Sequence, residues 1–224
     1  MAKLFSLLLY LTLSSALWAQ HTFLITQAPH NYTVKVKIEK CTESNCHGKG
    51  TIELISKANS QIITSKNLVF DIENGQKLTT NTLIKYSQQE ALKFDDFNFD
   101  NQIDLAIRNG NNGSYGAPTY DIYVFNSTQQ RFVKSSELTD LVSDNLGMFM
   151  IDQARKRLIC EDKSGCCWRL KTEYEVVFRK GLRKVREIEE ATEDETVKVT
   201  SRELKNGKWV SNVKKYKVAD YYKQ

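Results

Sequence analysis

Between Phe94 and Ile107 the chain reads Phe-Asp-Asp-Phe-Asn-Phe-Asp-Asn-Gln-Ile-Asp-Leu-Ala-Ile, a run that crowds oxygen side chains at regular intervals. Counted from Asp96 as position 1, oxygens fall at positions 3, 5 and 9 on Asn98, Asp100 and Asp104, and Gln102 at position 7 would offer its backbone carbonyl. That is the ligand order of a calcium loop without the distal glutamate. A hard cation needs six to eight oxygens, and a tight loop turns alternate side chains toward one point. Three carboxylates held this closely repel one another unless a cation or a proton intervenes. The sequence therefore predicts a structural Ca²⁺ site, with a metal-free acidic turn as the plain alternative. Asn101 stands where such loops carry glycine, a position asparagine tolerates because it enters the left-handed region more easily than most residues. Phe97 and Phe99 are expected to point into the core.

A second chemically suggestive stretch follows one strand later. Arg108 to Asp121 contains three Gly, three Asn and one Pro in 14 residues, which excludes regular structure. Tyr115 sits in its middle between Ser114 and Gly116. A rigid aromatic between small neighbours is a favourable contact residue, because it loses little side-chain entropy when it docks. The same ring could instead fold back as a lid over the sheet edge, and the residues alone leave both open. The candidate partner-binding set is Arg108, Asn109, Asn111, Asn112, Ser114, Tyr115 and Tyr120, with Asn109 and Asp121 expected to brace the loop by side-chain bonds.

The elements that position these loops read as strands. Tyr32, Val34, Val36 and Ile38 alternate with charged and polar residues, as do Trp168, Leu170, Thr172, Tyr174, Val176 and Phe178. Further strands are expected over 22–26, 51–56, 61–65, 68–72, 82–86, 103–108, 120–125, 157–161, 196–203 and 208–218. Asn206-Gly207 favours a tight hairpin between the last two. One short helix is expected to start at Ser136 as cap, with Leu138, Leu141 and Val142 as its apolar edge. Residues 182–188 suit a helix or a bulged strand and are read as strand after a turn at Lys180-Gly181. The acidic run 187–195 reads as an exposed loop tip. A dozen short strands with polar turns predict an all-β fold, β-propeller-like or alternatively a β-sandwich, in one domain over 21–224.

The opening residues predict export. Lys3, the apolar run Leu4–Trp18 and the small residues Ala16 and Ala19 have the layout of a signal peptide over residues 1–20. The run is about 15 residues, short of the ~20 that a membrane-spanning helix needs. No Cys follows it for lipid attachment, so the expectation is a periplasmic chain without a transmembrane segment. Without Lys3, 31 basic residues face 27 acidic ones, a balance of +4 that gives no nucleic-acid footprint. The lysines after Ser201 are expected to blunt an exposed sheet edge. Five cysteines in an exported chain suggest disulfides over metal thiolates. Cys41 and Cys46 would pair, Cys160 with Cys166 or Cys167 would close a second loop, and one thiol would remain odd.

The segment FDDFNFDNQIDLAIRNGNNGSYGAPTYDIYVFN, the following RFVKSSELTDL and the later SGCCW ahead of a long strand resemble a family of exported bacterial proteins related to a Xanthomonas immunity protein. The acidic part is also similar to the calcium-binding repeat of FG-GAP propellers, in a single copy. The resemblance implies a β-propeller-like periplasmic protein that neutralises a lysozyme-like peptidoglycan hydrolase delivered by a competitor's type IV secretion system. It implies Asp96, Asn98, Asp100 and Asp104 as cation ligands and the loop Asn109–Tyr120, tipped by Tyr115, as the inhibitory element. The alternative function is a calcium-dependent glycan-binding or adhesive module. An enzyme is not expected: the carboxylates are spaced for a cation, and His21, His30 and His47 belong to no nucleophile motif with Ser or Cys.

Overall fold

In a computed structural model of the chain, residues 21–42, 45–56, 59–71, 81–178 and 180–223 are described. The expected signal peptide lies outside them. Three sheets carry the fold. The first is formed by β1 (His21–Thr26), β2 (Thr33–Cys41), β3 (Asn45–Ile55), β4 (Ser60–Asp71) and β5 (Asn81–Lys85), in the order β4-β3-β2-β1-β5. All its neighbours are antiparallel except β1 and β5. The second is a meander of β6 (Leu92–Asp95), β7 (Asp104–Gly110), β8 (Thr119–Asn126) and β9 (Arg131–Ser135). After helix α1 (Ser136–Ser143) comes the third, a six-stranded meander of β10 (Met150–Asp152), β11 (Arg157–Ser164), β12 (Trp168–Val177), β13 (Gly181–Glu193), β14 (Thr196–Lys205) and β15 (Lys208–Lys217). A four-residue helix, α2 (Val218–Tyr221), ends it.

The all-β expectation holds, and each sheet, as far as its residues are described, is open rather than closed into a barrel. The second sheet is the middle layer. Leu105 and Ile107 of β7 enter a core shared with Phe23, Val34, Val36, Leu54 and Phe70 of the first sheet. Ala106 between them enters a second core with Ile122, Leu138, Val142, Phe149 and Leu158. Burial on both faces is why this strand reads as a continuous apolar run instead of alternating. The strand that carries the two candidate loops at its ends is thus buried on both faces over Asp104–Ile107.

The expected alternation in β2 is found: Val34, Val36 and Ile38 are buried while Lys35 and Lys37 lie half exposed. Two departures are instructive. The strands expected over 61–65 and 68–72 are one strand, β4, in which exposed Lys66 and Asn67 interrupt the alternation beside the register shift between Gly48 and Gly50. A bulge flips the facing of everything after it, so a continuous strand reads as two. The acidic run 187–195 is not a loop tip, because β13 extends to Glu193. Its carboxylates are paired within the sheet: Glu187 with Lys184 of the same strand and with Arg202 of β14, and Glu189 with Arg202, while also accepting from Trp168 Nε1 at 2.9 Å.

Glu173, expected on the solvated face of β12, is buried on that face by two arginines, Arg155 at 2.9 Å and Arg186 at 3.1 Å, while Tyr174 and Val176 keep the core face. The Asn206-Gly207 hairpin forms as expected, both residues at positive φ, and β15 is the exposed lysine-rich edge.

Helix α1 is capped one residue earlier than its sequence suggests: Ser135 Oγ accepts from Leu138 N at 3.3 Å. Glu137, in the first turn, accepts the Leu182 N–H at 2.6 Å and ties the helix to the start of β13. Ser135→Ala is therefore expected to cost about 1 kcal/mol, and Ser136→Ala much less, as read by chemical denaturation.

The cysteine expectation needs one correction. Cys41 pairs with Cys46, but Cys166 pairs with its neighbour Cys167, and Cys160 is the odd thiol, 2% exposed. Cys160 faces the second core on β11, and the four strand residues to Ser164 carry the turn about 13 Å away, beyond disulfide reach. Two disulfides suit an oxidising compartment. No helix among the described residues is long and apolar enough to cross a membrane.

Candidate functional site

The acidic residues form the turn between β6 and β7, and the structure explains its shape by side chain to backbone bonds. Both oxygens of Asp96 accept main-chain N–H groups, from Asp100 at 3.1 Å and Asn101 at 2.9 Å. Asn98 Oδ1 also accepts from Asp100 N, and Asp100 Oδ1 accepts from Gln102 N at 2.8 Å. Phe99 and Asn101 both take positive φ, +62° and +65°, which is where the expected left-handed asparagine sits. Phe97 is fully in the second core, edge-on to Phe149 with ring centroids 5.7 Å apart, and Phe99 packs against the same core only partly buried.

Asp104 is the anchor of this turn. It is fully buried, and its two oxygens accept from Phe97 N at 2.9 Å and Phe125 N at 2.8 Å, joining the loop, β7 and β8. Burial pushes its pKa up to about 7, nearby Asp100 and Asp96 push the same way, and the two N–H donors pull against them. The donor set is all oxygen, which is the chemistry of a hard cation, and oxygens that accept one N–H keep a second lone pair. Among the described residues, however, no group of three His, Cys, Asp or Glu side chains is gathered as a metal centre. Asn98 and Asp100 also share a surface hollow with Lys156 and Arg157.

The glycine-asparagine loop begins where β7 ends. Asn109 Nδ2 donates to Asp121 Oδ1 at 2.9 Å, the brace expected from sequence, and Lys134 adds an ion pair to the same oxygen at 2.7 Å. The middle of the loop is pinned to the segment after α1. Ser114 N donates to Asn145 O at 3.1 Å, and Gly113 N to Ala117 O at 3.1 Å. A side chain at Gly113 would be crowded, its Cβ 3.0 Å from the Asn145 carbonyl oxygen. A 3-10 turn over Ser114–Gly116 then lifts Tyr115 outward, 64% exposed, at φ +55° and ψ +29°. A tyrosine in the left-handed region costs about 1–2 kcal/mol, sustained by the bonds on either side.

The structure sorts the candidate contact residues. Ser114 and Tyr115 stand at the tip, and Asn111 and Asn112 are exposed beside it. Arg108 is turned inward: its side chain is 11% exposed, pairs with Asp71 and donates to Asn111 Oδ1 at 2.8 Å. Tyr120 is 3% exposed and donates to Glu90 O at 3.2 Å, with burial raising its phenol pKa. It packs in the second core, away from the exposed tip. Both are held by carbonyl and carboxylate groups on 71 and 90, positions that loop composition gives no reason to connect.

One neighbour was missed in the sequence. The turn between β11 and β12, Ser164–Trp168, reaches back to Tyr115: Gly165 N donates to the tyrosine Oη at 2.6 Å, and Lys163 Nζ lies 4.7 Å from the ring centroid. The two motifs quoted above for their resemblance, NGNNGSYG and SGCCW, therefore meet at one exposed tip. The only signal for it was that both motifs contain small turn residues, which says nothing about contact.

No protein-family model and no curated protein sequence matches the chain. A solved structure described as "Structure of a Xanthomonas Type IV Secretion System related protein" is similar in three dimensions, with a TM-score of 0.64 over 82% of this chain and 90% of that one at 20% identity. At that identity the likeness is one of fold alone.

Proposed function

We propose that this protein is an exported inhibitor that blocks a lysozyme-like peptidoglycan hydrolase by placing the Tyr115 tip in its glycan cleft. The observation that carries this is a strained, exposed tyrosine held on a turn tied down by Asn109–Asp121, Gly113–Ala117 and Ser114–Asn145. Blocking a cleft needs a preorganised protrusion and no chemistry, so ordering the loop in advance saves that cost on binding. A glycosidase cleft presents carboxylates that a phenol O–H and the neighbouring Asn111 and Asn112 amides can reach. The likeness to a type IV secretion system related protein supports a role linked to such a system, and a periplasmic setting as an immunity protein in interbacterial competition is part of the same reading. So is a propeller-like reading of the fold, for which the four-stranded middle meander would be one blade.

Calcium belongs to this proposal as a structural ion. Asp96, Asn98, Asp100, Asp104 and the Gln102 carbonyl would hold it, and what it supplies is charge that draws the turn together beneath β7. Binding of this kind stabilises the folded chain by about 2.7 kcal/mol at 100 times Kd. Saturating calcium is then expected to raise the melting temperature by about 5–10 °C over the chelated protein, with Asp100→Asn reducing the gain. An identical melt in both would remove the ion.

Function itself is tested by mixing the mature chain with a lysozyme-like peptidoglycan hydrolase and following the turbidity of a cell-wall suspension. Inhibition at stoichiometric amounts is expected. Binding to purified peptidoglycan with no effect on the hydrolase would favour a glycan-binding module instead.

A further inference from the structure

The turn that carries Cys166–Cys167 is the structural partner of Tyr115, although 50 residues separate Tyr115 from Gly165. We propose that this β11–β12 tip is a second arm of the docking surface, and that its vicinal disulfide locks Tyr115 in the presented position, so that docking depends on the oxidised state. The proposal rests on the reading of Tyr115 as a hydrolase-cleft residue.

Three observations point the same way. The phenol oxygen accepts the N–H of Gly165, the residue immediately before Cys166, and the ring carries the Lys163 ammonium on its face. Both cysteines are exposed on the same tip as Tyr115, so sulfurs, ring and ammonium present one surface. The far side of the turn is fixed as well, since Cys167 O accepts Thr192 N at 2.7 Å from the end of β13. Lys163 has no carboxylate partner among the described residues and would meet one in a glycosidase cleft.

A bond between adjacent cysteines closes no loop of chain and so adds little to global stability. Its effect is local: it restricts the backbone of two residues next to the N–H that holds Tyr115. Opening it is a two-electron exchange in which an external dithiol becomes a cyclic disulfide and Cys166 and Cys167 each gain a hydrogen. Gly165, at φ +61°, is then free to turn its N–H away, and the strained tyrosine loses its seat. Cys160 does not intercept the pair. It is 2% exposed, and burial pushes its thiol up to about 12, which leaves no thiolate to attack.

The test uses the mature chain with ring-labelled tyrosine, the Tyr115 resonance being identified by Tyr115→Phe. Dithiothreitol, and separately Cys166→Ser with Cys167→Ser, should shift that resonance, leave the melting temperature within about 2 °C, and raise the inhibition constant about tenfold against a lysozyme-like hydrolase. Cys41→Ser with Cys46→Ser should leave the resonance in place. A Tyr115 resonance that does not move on opening Cys166–Cys167 overturns the lock, whatever the inhibition. A resonance that moves while an inhibiting oxidised chain keeps the same inhibition constant overturns the second arm. A resonance that moves in a chain that inhibits in neither state supports the lock and overturns the cleft reading beneath it.

Discussion

Replacing Tyr115 with alanine is expected to weaken hydrolase inhibition by roughly 5- to 150-fold, the range of a single aromatic hot spot worth about 1–3 kcal/mol. The side chain is 64% exposed and, among the described residues, is seated by Gly165 and Lys163, both at the exposed tip, so its loss barely touches the folded core. Relief of the left-handed tyrosine does not follow, because alanine at φ +55° carries the same backbone penalty. The melting temperature should therefore stay within about 2 °C while inhibition falls. Tyr115→Phe separates the two parts of the side chain: retained inhibition assigns the effect to the ring, and loss equal to that of alanine assigns it to the hydroxyl. Tyr120→Ala should behave in the opposite way, lowering stability because that ring is core.

The largest expected effect on stability is at Asp104. Its replacement by alanine strips the acceptors from the Phe97 and Phe125 N–H groups and leaves two main-chain donors without partners. Each such loss costs about 1–3 kcal/mol, so a total of about 2–6 kcal/mol and a fall of roughly 4–24 °C in melting temperature are expected. Asp104→Asn keeps the shape and one acceptor and should cost less. The carboxyl also gives a pH signature in chelator. Its folded pKa of about 7 stands above the ordinary carboxylate value of 3.8, so the native state holds the proton longer than the unfolded chain. Its contribution is fully present below about pH 4 and is lost as pH rises through about 7. Comparing denaturation of the wild type and Asp104→Asn at pH 4, 5.5 and 7 reads this directly. Parallel stability curves would show that Asp104 ionises normally.

Much of this architecture was legible in the residues because the relevant signals are local. Val34, Val36 and Ile38 alternate, Asn206-Gly207 turns a hairpin, and the Asn109–Asp121 brace lies within a single loop. What escaped depends on distant chain. Arg108 looks like a surface cation until Asp71 is beside it, and the carboxylates of β13 look like loop residues until Arg202 is. Glu173 likewise looks solvent-facing until Arg155 and Arg186 cover it. At the site, the spacing of Asp96, Asn98, Asp100 and Asp104 announced the turn, and Tyr115 announced its tip. That Lys163 and Gly165 seat the ring follows only from how the third sheet folds back over the second.

Steady-state kinetics test the central proposal most directly. A lysozyme-like hydrolase acting on a soluble glycan chain, with the mature protein added in steps, should show KM rising in proportion to inhibitor while kcat stays constant, because Tyr115 and the glycan would occupy one cleft. A falling kcat at fixed KM, or full activity at every concentration, would contradict it.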